Sequence, residues 1–132
     1  YVITNCEGEP SFSLTLRRLR SSPLTDVSSM VRSLHQVAYS ALLQNEPSGR
    51  LAEHWFHHFS QIFLVNYQRH VKGQPFIPTD SDFVMLIENY LTECYLNDMV
   101  WELRQKNKKK AIIPVRGILK TMSESFINKE LG

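Results

Sequence analysis

A chain of 132 residues is the length of one ordinary domain and buries about two-thirds of the surface that its unfolded form exposes. Its 42% hydrophobic and 21% charged composition excludes a disordered tail, and no apolar run approaches the roughly 20 residues of a membrane span, so no membrane partner is expected. The net charge of +2 is unevenly divided: residues 71–100 carry one lysine against five carboxylates, residues 101–132 eight basic side chains against three acidic ones, and an acidic face and a basic face follow.

Tyr1-Val2-Ile3-Thr4 is aromatic and β-branched, the composition of a short strand, and Glu7-Gly8-Glu9-Pro10 is turn chemistry that ends it. Phe12, Leu14 and Leu16 then alternate with polar residues, which predicts a second extended segment and a hairpin that must pack on something larger. Residues 1–24 therefore read as strand and extended chain, and 25–132 as a helical lobe of the same domain.

From Thr25 the period becomes helical. Val27, Met30, Val31, Leu34, Ala38, Ala41 and Leu42 recur at three- and four-residue steps behind a Thr25 or Asp26 cap, and the helix ends before Pro47. A second helix runs from about Ser48 towards His70. Its apolar residues Leu51, Ala52, Trp55, Phe56, Phe59, Ile62, Phe63 and Tyr67 span roughly 160° at 100° per residue, which predicts a central position. The prolines of 73–78 predict an extended linker. Thr79 then caps a third helix with an inward stripe of Phe83, Leu86, Ile87, Tyr90, Leu91, Cys94 and Tyr95. Trp55, Phe59, Phe63, Phe83, Ile87 and Leu91 are the expected core between helices two and three.

Continued further, helix three carries Asn97 and Asp98 close to its apolar stripe, so either it breaks there or these polar groups meet a site. Met99, Val100, Trp101 and Leu103 extend it, and the basic run from Lys106 to Lys110 closes it where positive charge suits the helix dipole. Pro114 opens a last helix through Ile118, Leu119, Met122, Phe126 and Ile127.

Four short segments carry a family resemblance. Asn5-Cys6-Glu7-Gly8-Glu9-Pro10, Ser22-Pro23-Leu24-Thr25-Asp26-Val27, Met30-Val31-Arg32-Ser33 and Ile113-Pro114-Val115-Arg116-Gly117-Ile118 resemble, in the same order, the DFEGEP, SPLRDV, MLRSF and IPLRGI segments of bacterial maltokinases and of the kinase-like domain fused to trehalose synthases. The resemblance implies the mainly helical C-terminal lobe of a protein-kinase-like, aminoglycoside-phosphotransferase-like fold, with about five helices and a short N-terminal strand or hairpin, cut from a longer protein. It implies that the parent transfers phosphate from ATP, with Mg, to the anomeric position of maltose in trehalose and glycogen metabolism. In that family the first position of DFEGEP is an aspartate that holds the magnesium of ATP; here it is Asn5, which keeps one oxygen and loses the charge that a hard cation prefers, with Glu7 as the remaining acidic match. The catalytic-loop aspartate and the phosphate-binding lysine have no counterpart in these residues, so the fragment alone is expected to be inactive and to work beside the N-terminal kinase lobe of its parent.

For the sugar, the resemblance assigns Arg116 of the IPLRGI-like segment and Trp101 with Glu102 of Trp101-Glu102-Leu103, which is similar to a YEL segment with tryptophan replacing tyrosine. Asp98, one turn earlier, joins them as a hydrogen-bonding group. The four are expected to converge on one cleft that takes maltose or a related disaccharide, the indole as a stacking face.

Other chemistry is thinner. His54 and His58 stand at i and i+4 on one helix face, a zinc-like spacing without the rest of an HExxH motif. Cys94 lies on an apolar stripe and reads as a small buried hydrophobe; with Cys6 far away and no CxxC pair, a reducing, cytoplasmic compartment is expected. The lysine run lacks interleaved aromatics, so no nucleic-acid partner is expected, and it reads as a solvated loop. Two function classes stay open: the sugar-kinase lobe, and a non-catalytic helical module, a degenerate kinase lobe, that binds another protein.

Overall fold

The computed structural model describes residues 13–18, 21–45 and 49–123. All regular structure among them is helical: a short α1 (Leu14–Arg18) precedes four long helices, α2 (Leu24–Asn45), α3 (Gly49–Val71), α4 (Asp80–Arg104) and α5 (Lys108–Ser123). The expected strand at Tyr1-Val2-Ile3-Thr4 and the end of the last helix at Phe126 and Ile127 lie outside the described residues. Leu14 and Leu16, read as extended, stand in α1, a single helical turn held in part by the Arg17 N–H donating to the Ser13 carbonyl at 3.0 Å. Three alternating apolar residues are too short a pattern to separate strand from helix.

α2 starts earlier than Thr25. Ser22 is its cap: the Leu24 N–H donates to Ser22 Oγ at 3.2 Å, and Pro23 sits in the first turn, where its missing N–H costs nothing. Leu24, Val27, Val31, Ala38 and Tyr39 are buried along its length. α2 is the helix that packs against each of α3, α4 and α5, so it takes the central place expected of α3. The hydroxyl of buried Ser28 donates to the Ile87 carbonyl of α4 at 3.2 Å, a small side chain that lets the two helices approach.

α3 buries only Ala52, Phe56, Ser60 and Leu64, a narrow line at four-residue steps that one neighbouring helix can cover. Part of its broad apolar stripe faces out: Phe59 is 43% exposed, and Leu51 and Ile62 are exposed too, while Trp55, Phe63 and Tyr67 are partly buried against the core. Trp55 is partly buried with its ring 4.6 Å from that of Phe59. The expected six-residue core between helices two and three is therefore half realised, by Phe83, Ile87 and Leu91 of α4, which pack chiefly against α2. α3 and α4 meet where the rings of Tyr67 and Phe83 stack at 6.4 Å.

The linker after α3 is not extended. It makes successive turns, Gln74 N–H to the Val71 carbonyl at 3.0 Å and Ile77 N–H to the Gln74 carbonyl at 3.1 Å, with Gly73 at φ 81°. Prolines at both ends are compatible with turns as well as with extended chain. Thr79 precedes α4 at the cap position, but its hydroxyl donates to Asp82 Oδ2 at 2.8 Å instead of capping the backbone.

The largest departure comes after Trp101. α4 runs unbroken past Asn97 and Asp98 and ends at Arg104; Lys106 adopts φ 57°, its N–H donates to the Leu103 carbonyl at 3.0 Å and the Asn107 N–H to the Glu102 carbonyl at 2.9 Å. This double bond pattern closes a helix around one left-handed residue, a position glycine usually fills, and lysine there hides the stop signal. Lys108, Lys109 and Lys110 consequently open α5 instead of closing α4, against the dipole, with Asn107 Oδ1 accepting from the Lys110 N–H at 3.3 Å as the compensating cap. Pro114 stands inside α5, not at its start, and so has no N–H to give to the carbonyl of Lys110.

Two stability experiments check this packing. Phe56→Ala should lower unfolding free energy by about 3–5 kcal/mol, while Phe59→Ala should cost about 1 kcal/mol or less, both read from denaturant midpoints. Gly117→Ala should destabilise although alanine favours helix, because the new Cβ would stand 2.5 Å from Cζ of the buried Tyr95 ring; a loss of about 1–3 kcal/mol is expected, and a gain in melting temperature would contradict the close α4–α5 contact.

Candidate functional site

Where α2, α4 and α5 meet, polar side chains line a small cavity of about 40 Å³, space for a few water molecules. α2 contributes Arg32, His35, Gln36 and Ser40; α4 contributes Tyr95, Asp98 and Glu102; α5 contributes Lys110, Ile113 and Pro114. Helical spacing places each set on one face: steps of three, four and seven residues bring the side chains of one helix into line.

Arg32 is the hinge of the charges. Its Nε lies 3.6 Å from Asp98 Oδ2, and its Nη1 donates to Gln36 Oε1 at 3.2 Å. Nε is buried and, among the described residues, makes no hydrogen bond, since 3.6 Å exceeds the direct range; its contact with Asp98 is an ion pair. Burial pushes the Asp98 carboxyl up, with Arg32 opposing and neighbouring Glu102 reinforcing the shift.

His35 is 1% exposed, and among the described residues neither ring nitrogen has a hydrogen-bond partner. Aromatic rings cage it: Tyr39 at 4.5 Å, Tyr95 at 5.0 Å and Phe56 at 5.1 Å. Its pKa falls to about 3, first through burial and then through the charges of Lys120 and Arg116, so the imidazole is neutral at ordinary pH. Leaving an imidazole without a hydrogen-bond partner among aromatic rings is costly. Burial also raises the phenol of Tyr95, which stays protonated.

Of the residues expected at a sugar pocket, the fold brings Asp98 and Glu102 together and leaves the others elsewhere. Arg116 lines a second, open cavity of about 320 Å³ with Tyr39, Leu42, Leu43, Gly49, Ile112 and Ile113, and its guanidinium lies 5.8 Å from the centre of the Tyr39 ring. Trp101 is 62% exposed and lines neither cavity. The single four-residue cleft is thus not formed: on α4, Trp101 points about 60° away from Asp98, and Arg116 turns towards α2. Asn97 is exposed. Asn5 and Glu7 lie outside the described residues.

Among the described residues no three His, Cys, Asp or Glu side chains are grouped to hold a metal ion. His54 Nδ1 sits 2.7 Å from the Arg50 carbonyl and His58 packs edge-on against Phe59, so the i, i+4 pair is spent on local contacts. The neighbouring His57 joins Lys120 at 2.8 Å, which in turn reaches Glu53 at 2.9 Å and ties α3 to α5. That lysine holds the Glu53 carboxyl below its usual range. Cys94 is half-buried, 3.8 Å from Ser29 Oγ, with its thiol raised by burial, unlike a reactive thiolate. No helix among the described residues is long and apolar enough to cross a membrane.

Sequence pattern does not single out Arg32, His35 or Lys110 as site residues. His35 carries a signal, standing four residues after Val31 and three before Ala38 on the buried line of α2; Lys110 carries none, because the start of α5 is hidden by a run of lysines. Neither a family model nor a solved structure matches the chain.

His35 gives a pH test. Between its unfolded pKa of 6.5 and the folded value of about 3, the unfolded chain binds a proton that the folded state refuses, so stability should fall as pH drops below 6.5. The slope should approach about 1.4 kcal/mol per pH unit. In His35→Phe that component should vanish, so the urea midpoint of the variant should fall less from pH 7 to pH 4.5 than that of the parent; parallel profiles would contradict a neutral, caged imidazole.

Proposed function

We propose that the chain is the helical C-terminal lobe of a maltokinase-like sugar kinase, and that the α2–α4–α5 cleft reads hydroxyl groups along one edge of the sugar. One observation carries this reading: three of the segments that resemble the family, more than 60 residues apart in sequence at their extremes, supply walls of the same cavity. Arg32 comes from Met30-Val31-Arg32-Ser33, Glu102 from Trp101-Glu102-Leu103, and Ile113 with Pro114 from the IPLRGI-like segment.

The chemistry of the lining supports a neutral, hydroxylated ligand. Arg32 and Lys110 balance Asp98 and Glu102, and His35 adds no charge, so neither an anion nor a cation gains from entering. A hydroxyl both donates and accepts, and can serve carboxylate and guanidinium groups at once. The cavity admits a hydroxyl or two, not a disaccharide, so the rest of the sugar would lie across the outer surface. Nucleotide chemistry belongs to parts of the parent beyond these helices; Mg bound there would neutralise the phosphates of ATP. A second reading, a non-catalytic module, draws support from the separation of Trp101 and Arg116.

Titration with maltose, trehalose and a non-sugar polyol, followed by amide NMR, tests the proposal. Maltose should shift the amides around Arg32, His35, Asp98 and Glu102, and Asp98→Asn should weaken binding about tenfold without a change in fold. The chain alone should not turn over ATP. Shifts confined to other surfaces, or none at tens of millimolar sugar, would favour the non-catalytic module.

A further inference from the structure

The lysine run and the outward face of α5 form a surface that the cleft does not use. Ile112, Val115, Leu119 and Met122 follow one another at steps of three, four and three residues, and all are exposed, Met122 to 77%. At 100° per residue they form one narrow line, and Lys108 continues it by one turn towards the helix start. Lys109 stands beside it. α5 carries five basic residues and no acidic one, three of them in its first turn, where their charge opposes the helix dipole.

The line also has a socket. Ile112 forms a wall of the 320 Å³ cavity, together with Tyr39, Leu42 and Leu43 of α2, a largely apolar opening wide enough for one large side chain. We propose that this face docks an acidic amphipathic helix of a partner protein, whose apolar side chains at three- and four-residue steps lie along Ile112, Val115, Leu119 and Met122 with one of them in the socket. Its carboxylates meet Lys108 and Lys109. Charge complementarity selects this occupant: an acidic helix relieves the repulsion between the lysines and the amino end of α5, which a second copy of the same basic face would worsen. A lipid surface fits less well, because the opposite face of α5 is packed on α2 and α4 and, among the described residues, the line holds no aromatic anchor. RNA gains nothing from the apolar line. The inference does not depend on the sugar reading.

The probe is a fluorescein-labelled 21-residue peptide with leucine at the a and d positions of three heptads and glutamate at e and g, compared with the same peptide carrying lysine at e and g. The acidic peptide should bind with micromolar Kd, more weakly as salt rises, and the basic peptide at least tenfold more weakly. Leu119→Asp should abolish binding while circular dichroism shows the fold retained. Lys108→Glu with Lys109→Glu should reverse the preference and rescue the basic peptide, an outcome that a general loss of structure cannot produce. Equal binding of both peptides, indifference to Leu119→Asp, preferential binding of phosphatidylserine vesicles or of an oligouridine, or self-association that Leu119→Asp abolishes would each overturn the proposal.

Discussion

The ring of Tyr95 holds the arrangement together. It is 2% exposed, lies against Gly117 of α5 at a distance that admits no Cβ, and stands 5.0 Å from the His35 ring of α2. One aromatic side chain therefore sets the spacing of three helices at the same level. The cleft opens one turn further along α4, where Asp98 and Glu102 replace the aromatic wall with carboxylates, and its depth follows from how closely Gly117 lets α5 approach. A glycine in mid-helix costs about 1 kcal/mol of propensity, and here it is offset by the ring packing that it permits.

That spacing also explains why His35 is neutral and orphaned. A cage of Tyr39, Phe56 and Tyr95 offers faces and edges but no acceptor aimed at the imidazole. Arg116 and Lys120 add positive potential from α5, so protonation is opposed from two directions. The group is left with polar valence and no charge, beside a pair, Arg32 and Asp98, whose gap is too long for a direct bond.

The long helices were legible because apolar residues recur at three and four residues over five or six turns, enough repeats to fix type and near-enough boundaries for α2 and α3. What failed was local. Leu14 and Leu16 offered too few repeats; the stop at Lys106 used a lysine where glycine would have announced it; and Pro114 was read as a start because prolines usually are. The width of the α3 stripe is visible in the sequence, but width measures how much a helix can bury and not how much its neighbours cover, and among the described residues α3 has only α2 as an extensive neighbour. For the site, polar interruptions of an apolar stripe identified Asp98, and resemblance identified Glu102. Their partners on α2 are about 60 residues earlier, and no spacing along the chain says which turn of α2 faces them.

The position of the lysines sets what α5 can do. As a tail to α4 they would have been solvated charges at the favourable end of a dipole. As the first turn of α5 they are held at the unfavourable end, with a proline six residues into the helix and a glycine soon after, three features that each weaken an isolated helix. α5 is therefore held in place by its neighbours, through Tyr95 on Gly117, Ile113 in the core, and Lys120 bound to Glu53 and His57. Its inner side is committed to the cleft and the core. A helix so dependent on tertiary support, yet lined outside with exposed aliphatic residues and cations, would gain stability from a partner that covered that outer side.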